Sequence, residues 1–234
     1  MPRGRPAASV PSAFVPDAPS TLLDRAAGIE YWDRRHAGRD EWTAGGDIGI
    51  SVEANRIFYT RRLGQLLEVI DMLGDRAAPP SLLDAGCGRG IISRQLAACG
   101  FAVTGVDASA NAIDHARQRG GGPRYELTPL DSFWSHQLFD VVIAVDVLFH
   151  LTDPDAFAAS LRRIAAHVQT GGLLVVTDRD EPTCAPLSDY IVHRPLIEYV
   201  ELLGPHGFAY RGFMPYRFRG NSIGFHSFGR TGCE

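Results

Sequence analysis

With 234 residues, 45% of them apolar, the chain can bury one sizeable core, so one principal domain is expected. A formal charge of −4 with interspersed signs offers no basic stripe for a phosphate backbone, which argues against nucleic acid as a partner. All 23 basic residues are arginine, and the absence of lysine excludes Schiff-base and P-loop lysine chemistry.

Residues 1–20 carry five prolines among alanine and serine, a composition that prevents helix and predicts a flexible tail. Residues 21–80 read as a helical N-terminal cap. A short amphipathic segment over 21–36 carries Tyr31 and Trp32, and the glycine-rich "EWTAGGDIGIS" follows. Ile57, Phe58, Leu63, Leu66, Leu67, Ile70 and Leu73 then recur at helical spacing.

Behind "APP", where a helix cannot continue, the rhythm changes. "SLLDAG" predicts a strand, "RGIISRQLAACG" a helix closed by Gly100, "FAVTGVDAS" a strand, and "SANAIDHARQRGGG" a helix capped by Ser109. "RYELTP" and "LFDVVIAVDV" read as strands, "TDPDAFAASLRRIAAHV" as a helix with Pro in its first turn, and "GGLLVVTD" as a fifth apolar strand. "RDEPTCAPLSDY" reads as irregular and "RPLIEYVELLG" as helical, while "FAYRGFMPYRF" and "SIGFHSF" form a closing antiparallel pair. Strands alternating with helices predict an α/β fold, a mostly parallel sheet covered on both faces, over residues 81–234.

Cys87, Cys99, Cys184 and Cys233 form no Cys-x-x-Cys pair and are expected as free thiols, without a metal. No apolar run approaches the roughly 20 residues of a membrane span, and the first residues lack the apolar centre of a signal peptide. A cytoplasmic protein without a membrane partner is expected.

The chemistry concentrates in "LLDAGCGRG". Gly86, Gly88 and Gly90 close the first core strand, where glycine lets a ligand approach the backbone. A dinucleotide fingerprint needs G-x-G-x-x-G, but Ile91 stands where its third glycine belongs. Asp84 decides the matter by charge: a carboxylate repels pyrophosphate and favours a cation. S-adenosylmethionine (SAM) has no phosphate and carries a sulfonium and an ammonium. Asp107 ends the second strand, 19 residues after Gly88, where it could accept both ribose hydroxyls, a geometry shared with NAD enzymes.

"LLDAGCGRG", "VTGVDAS", "FDVVIAVDVLFHL" and "GGLLVVTD" together resemble successive motifs of the class I, Rossmann-like SAM-dependent methyltransferases, over roughly residues 81–178. That resemblance implies a doubly wound seven-stranded sheet with an antiparallel C-terminal strand. It places Asp84, Gly86, Cys87 and Gly88 around the methionine part of SAM, Asp107 on the ribose and Ala108 against adenine. It further points Asp131 with Ser132 at the adenine amine, and Asp146 with Val147 at the methionine ammonium and methyl group. Arg89 departs from the small residues common at its position and receives no role. The stretches "VLFHLTDPDAF" and "HRPLIEYVELLGPHGF" are similar to a bacterial branch that modifies small molecules or sugars.

His150, four residues beyond Asp146, could take a proton from the acceptor. His193, His226, Asp178 and Glu181 are the alternatives, and the carboxylates around Asp178 are where a metal would bind if one were used. Tyr31, Trp32, Trp42 and Phe58 could form an aromatic lid over the sulfonium or simply pack. Arg56, Arg61 and Arg62 read as a solvated helix face, or one of them as a partner for a ligand carboxylate. The expected activity is methyl transfer from SAM to an oxygen of a small molecule, a secondary metabolite or sugar. Two other readings fit the same residues: a SAM-binding protein of this fold that does not methylate, and an NAD-dependent oxidoreductase.

Overall fold

The computed structural model describes residues 21–74, 79–183, 185–216 and 222–232. The tail expected over residues 1–20 lies outside them, as do Cys184 and Cys233. Of the cysteines within them, Cys87 and Cys99 are free.

The cap consists of α1 (Arg25–Gly38), α2 (Glu41–Ala44) and α3 (Val52–Asp71). Each starts where a short polar side chain satisfies an orphan amide: Asp24 accepts from the Ala27 N–H, Asp40 from Trp42 and Ser51 from Ala54. In α3 the buried stripe is Phe58, Tyr59, Arg62, Leu66, Val69 and Ile70. Ile57, expected in that stripe, is 58% exposed. A step of one residue turns a helix by about 100°, which puts Ile57 on the solvent face with Arg61, Gly64 and Glu68.

The core runs β1 (Ser81–Ala85), α4 (Ile91–Ala98), β2 (Ala102–Asp107), α5 (Ala110–Arg119), β3 (Arg124–Leu127), β4 (Phe139–Ala144), α6 (Pro154–Ala166) and β5 (Val168–Arg179). There follow β6 (Ala185–Ser188), β7 (Ile191–His193), α7 (Leu196–Leu203), β8 (Phe208–Pro215) and β9 (Ile223–Arg230). Seven strands form one sheet in the order β3-β2-β1-β4-β5-β9-β8. The first five are parallel, β9 runs antiparallel to β5, and β8 antiparallel to β9. The doubly wound sheet with its antiparallel C-terminal strand is therefore present.

Alternation along β1 feeds two cores. Leu83 and Ala85 pack with Phe157, Leu161 and Tyr199 under α6 and α7, while Leu82 packs with Phe58, Leu66 and Leu96 under α3 and α4. The stretch expected to be irregular after β5 instead holds the β6–β7 hairpin, a separate two-stranded sheet. Its strands are short and Pro186 breaks the alternation, so no period marks them. Strand order reverses between β1 and β4, which opens a crevice at their carboxyl ends. Among the described residues no helix is long and apolar enough to cross a membrane.

Candidate active site

A cavity occupies that crevice, floored by the glycine turn and roofed by α1. The Gly86 and Cys87 amides donate to the Val106 carbonyl at 2.8 and 3.0 Å, which ties the turn to β2. Gly86 has φ of 80°, and a Cβ there would lie 2.5 Å from Val147 Cγ2. Both conformation and space therefore demand glycine. Gly86→Ala is expected to push Val147 out of the cavity wall and abolish cofactor binding, with a melting temperature several degrees lower, measured by titration and thermal denaturation.

Asp107 is held twice. Its Oδ2 accepts from the Gly88 amide and its Oδ1 from the Ser109 amide, both at 2.9 Å. Each oxygen retains a lone pair for one of two neighbouring hydroxyls. Burial raises the Asp107 pKa against the pull of those amides. Cys87 contributes backbone: its side chain packs between Gly105 and Tyr125, and burial pushes its thiol pKa well up, leaving it inert.

Of the residues expected at adenine, Ala108 and Asp131 line the cavity and Ser132 does not. Ser132 donates to Asp131 Oδ1 at 2.8 Å. The Asp131 carboxylate is also forked by Arg25 of α1, whose Nη2 donates at 2.7 Å, and this holds its pKa down. The cap is thus bolted to the core where adenine is expected. A second bolt lies nearby: Asp33 of α1 accepts from Ser109 Oγ at 2.7 Å and from Asn111 Nδ2 at 2.7 Å.

At the other end Asp146 and Val147 line the cavity. Asp146 adopts a left-handed backbone with φ of 53°, which Asp tolerates better than most residues. Its amide contacts Thr177 Oγ1 at 2.5 Å, Oδ1 accepts from Tyr216 Oη at 2.9 Å, and Oδ2 is paired with Arg62. The carboxylate is thus already paired within the protein. Arg62 itself is 2% exposed and clasped by the rings of Phe58 and Tyr59, each 4.2 Å from its guanidinium carbon. Its Nε and Nη2 are buried without a partner among the described residues. Such an unfilled fork matches a carboxylate.

The roof is one face of α1, where Arg25, Ile29, Trp32 and His36 recur at i, i+4, i+7 and i+11. Trp32 lies 4.4 Å from the His150 ring, and Tyr31 stacks on Tyr190 at 4.8 Å. Of the other expected lid residues, Trp42 packs on Tyr59 and Phe58 supports Arg62. His150 lines the cavity, and its Nδ1 donates to the Tyr190 carbonyl at 2.9 Å. Burial pushes its pKa down to about 3, so an apparent titration near neutrality is not expected of it. Asp178 is saturated: it accepts from His193 Nδ1 at 2.7 Å, Tyr199 Oη at 2.7 Å, and the amides of Arg179 and Arg194 at 2.8 and 3.1 Å. That leaves it no lone pair for a metal or a substrate proton, and among the described residues no group of His, Cys, Asp and Glu could hold a metal ion.

Sequence reasoning missed two residues. His36 is 4% exposed, presses its Cε1 to 3.4 Å from where a Gly88 Cβ would stand, and has its pKa pushed down to about 4 by burial. Its signal was the α1 face it shares with Trp32. Arg89 donates to the His36 carbonyl and so pins the roof to the glycine turn.

A family model described as a methyltransferase domain matches residues 57–216. The ubiquinone biosynthesis O-methyltransferase of Rickettsia canadensis is 29% identical over 163 residues, covering 68% of this chain and 66% of that one. That of Methylocella silvestris is 33% identical over 150 residues, covering 58% and 57%. The matched stretch spans less than two thirds of either relative. Magnesium protoporphyrin IX methyltransferase of Synechocystis PCC 6803, solved with bound SAM, superposes with a TM-score of 0.68 at 20% identity, covering 91% of this chain and 99% of that one. An N-methyltransferase of Bradyrhizobium japonicum WM9, solved with S-adenosylhomocysteine, gives 0.64 at 20%, covering 87% and 98%. At such identities the likeness is one of fold.

Proposed function

The chain belongs to the class I SAM-dependent methyltransferases, and from that premise we propose that it methylates an oxygen of a small molecule. The observation that carries this reading is a doubly anchored Asp107 and an unfilled Arg62 fork in one cavity. Asp107 would accept from the ribose hydroxyls, Ala108 and Asp131 would flank adenine, and Arg62 would take the amino-acid carboxylate. Asp84, Gly86, Cys87, Gly88 and Val147 would surround the methionine chain. When bound, SAM supplies an electrophilic methyl group for in-line displacement.

The helical cap would exclude water, with its Trp32 and His36 facing His150 of the core across the cavity. Those ring faces suit a hydroxyl on a ring-bearing secondary metabolite better than one on a sugar. The relatives named as O-methyltransferases support oxygen as the acceptor atom. Incubation with SAM and a panel of phenols, quinols, amines and sugars tests the reading by release of S-adenosylhomocysteine and the mass of the product. Methyl found only on nitrogen would overturn the oxygen assignment, and tight SAM binding without release for any acceptor would favour a non-methylating role.

His150 would receive the acceptor proton at Nε2, the nitrogen that carries the lone pair when Nδ1 donates to Tyr190. With its pKa near 3 it remains neutral over the working range and is a weak base. His150→Gln is expected to lower turnover about 10²-fold with SAM affinity unchanged, and the wild-type rate should show no ionisation of this group between about pH 6 and 8. Unchanged turnover in the variant would remove His150 from the reaction.

A further inference from the structure

Among the described residues Asp84 is a buried carboxyl without a counter-ion. It is the penultimate residue of β1, on the face that Leu82 shares with α3 and α4, is 2% exposed, and lines the cavity beside the glycine turn. It accepts one hydrogen bond, from Ser93 Oγ of α4 at 2.5 Å. The ionisable groups that act on it or feel it are Asp107 of β2, Cys87 of the turn and Tyr125 of β3, all of which ionise to anions. Two arginines of the helices packed on this face have other partners. Arg62 of α3 pairs with Asp146, and Arg94 of α4 donates to Glu41 at 2.5 Å and to the Arg89 carbonyl at 2.8 Å. Burial, helped by Asp107 and opposed by Ser93, raises the Asp84 pKa to about 7.

An isolated carboxylate is costly in such surroundings, and a cation arriving beside it reverses the balance. We propose that Asp84 holds a proton in the ligand-free protein and yields it to solvent when the α-ammonium of SAM or S-adenosylhomocysteine enters the cavity. Filling the site is thereby coupled to release of one proton. The O–H bond of the carboxyl breaks, the proton passes to buffer, the carboxylate gains the ligand cation as its counter-ion, and nothing is oxidised or reduced. The inference rests on the reading of the cavity as a SAM site. Its consequence is an affinity that depends on pH: SAM binding is expected to tighten about tenfold between pH 6 and 8, because deprotonating Asp84 no longer opposes it.

Titration calorimetry of the whole protein at pH 6.5, in two buffers of different ionisation enthalpy, counts the protons. About 0.8 proton is expected to leave with either SAM or S-adenosylhomocysteine. Adenosine, which lacks the α-ammonium, should release none. Asp84→Asn should abolish the release and flatten the pH dependence while weakening SAM. Binding of SAM without proton release, or the same release in Asp84→Asn, would overturn the proposal and leave the SAM site standing. Equal release with adenosine would move the proton to Asp107 and overturn it as well. Failure of both SAM and S-adenosylhomocysteine to bind in any buffer would instead overturn the reading of the cavity.

Stability of the ligand-free protein gives an independent check. A carboxyl whose folded pKa is raised contributes stability below its unfolded pKa near 4, and that contribution is lost as pH rises through about 7. Relative to wild type, Asp84→Asn should therefore melt progressively higher as pH rises from about 5 to 8. A gap that stays constant over that range would count against a protonated Asp84.

Discussion

Asp107→Ala is expected to weaken SAM and S-adenosylhomocysteine by about 5- to 150-fold, or 1 to 3 kcal/mol, measured by calorimetry. The loss has two sources. The ribose hydroxyls forfeit a charged acceptor, and the Gly88 and Ser109 amides forfeit the side chain that fixes the turn between β1 and α4 against the end of β2. Asp107→Asn discriminates between them and a bare charge effect. Both carboxylate oxygens face a backbone donor, so whichever one becomes an NH₂ group meets an N–H head-on. The Asn variant should consequently bind nearly as weakly as the Ala variant, although it removes almost no volume. Near-wild-type affinity in Asp107→Asn would mean that neither amide contact shapes the site.

The parts of this site legible in the sequence are those that the backbone imposes. Gly86, Gly88 and the carboxylates at or near the ends of β1 and β2 follow from a tight turn at a switch point, and local spacing is enough to read them. What escaped was set by packing across elements distant in sequence. The partner of Asp146 could not be read, because nothing in "VVIAVDVLFH" discloses Arg62, which lies 84 residues upstream. Ser132 sits beside Asp131 in sequence, but the turn at residues 130–132 directs it to its neighbour's carboxylate and away from the cavity. The β6–β7 hairpin escaped because a three-residue strand and a proline-bearing one leave no period to detect. Yet two features did carry a readable signal. An arginine in the Phe58-Leu66 stripe is out of place on a buried face, and Trp32 and His36 are one helical turn apart.

Arg62 gives the largest expected loss of stability, for the same reason that it was hard to recognise. Removing one member of a buried pair leaves the other without its counter-ion, and that typically costs about 3 to 5 kcal/mol. The Asp146 side chain retains 18% exposure and its bond from Tyr216, so Arg62→Met should fall near the lower end, about 3 kcal/mol. For a chain of this size that is a drop in melting temperature of roughly 6 to 12 °C. Pairing it with Asp146→Asn separates folding from function. The double variant has no orphaned charge, and Asn tolerates the left-handed backbone that residue 146 adopts, so most of the lost stability should return. SAM binding should not return with it, because the carboxylate fork formed by Nε and Nη2 is still missing. Calorimetric affinity for SAM measured beside affinity for 5′-methylthioadenosine, which lacks the amino-acid end, locates the loss. Arg62→Met should cost SAM much more than it costs the truncated ligand, and equal losses for both would show that Arg62 supports the fold without touching the carboxylate.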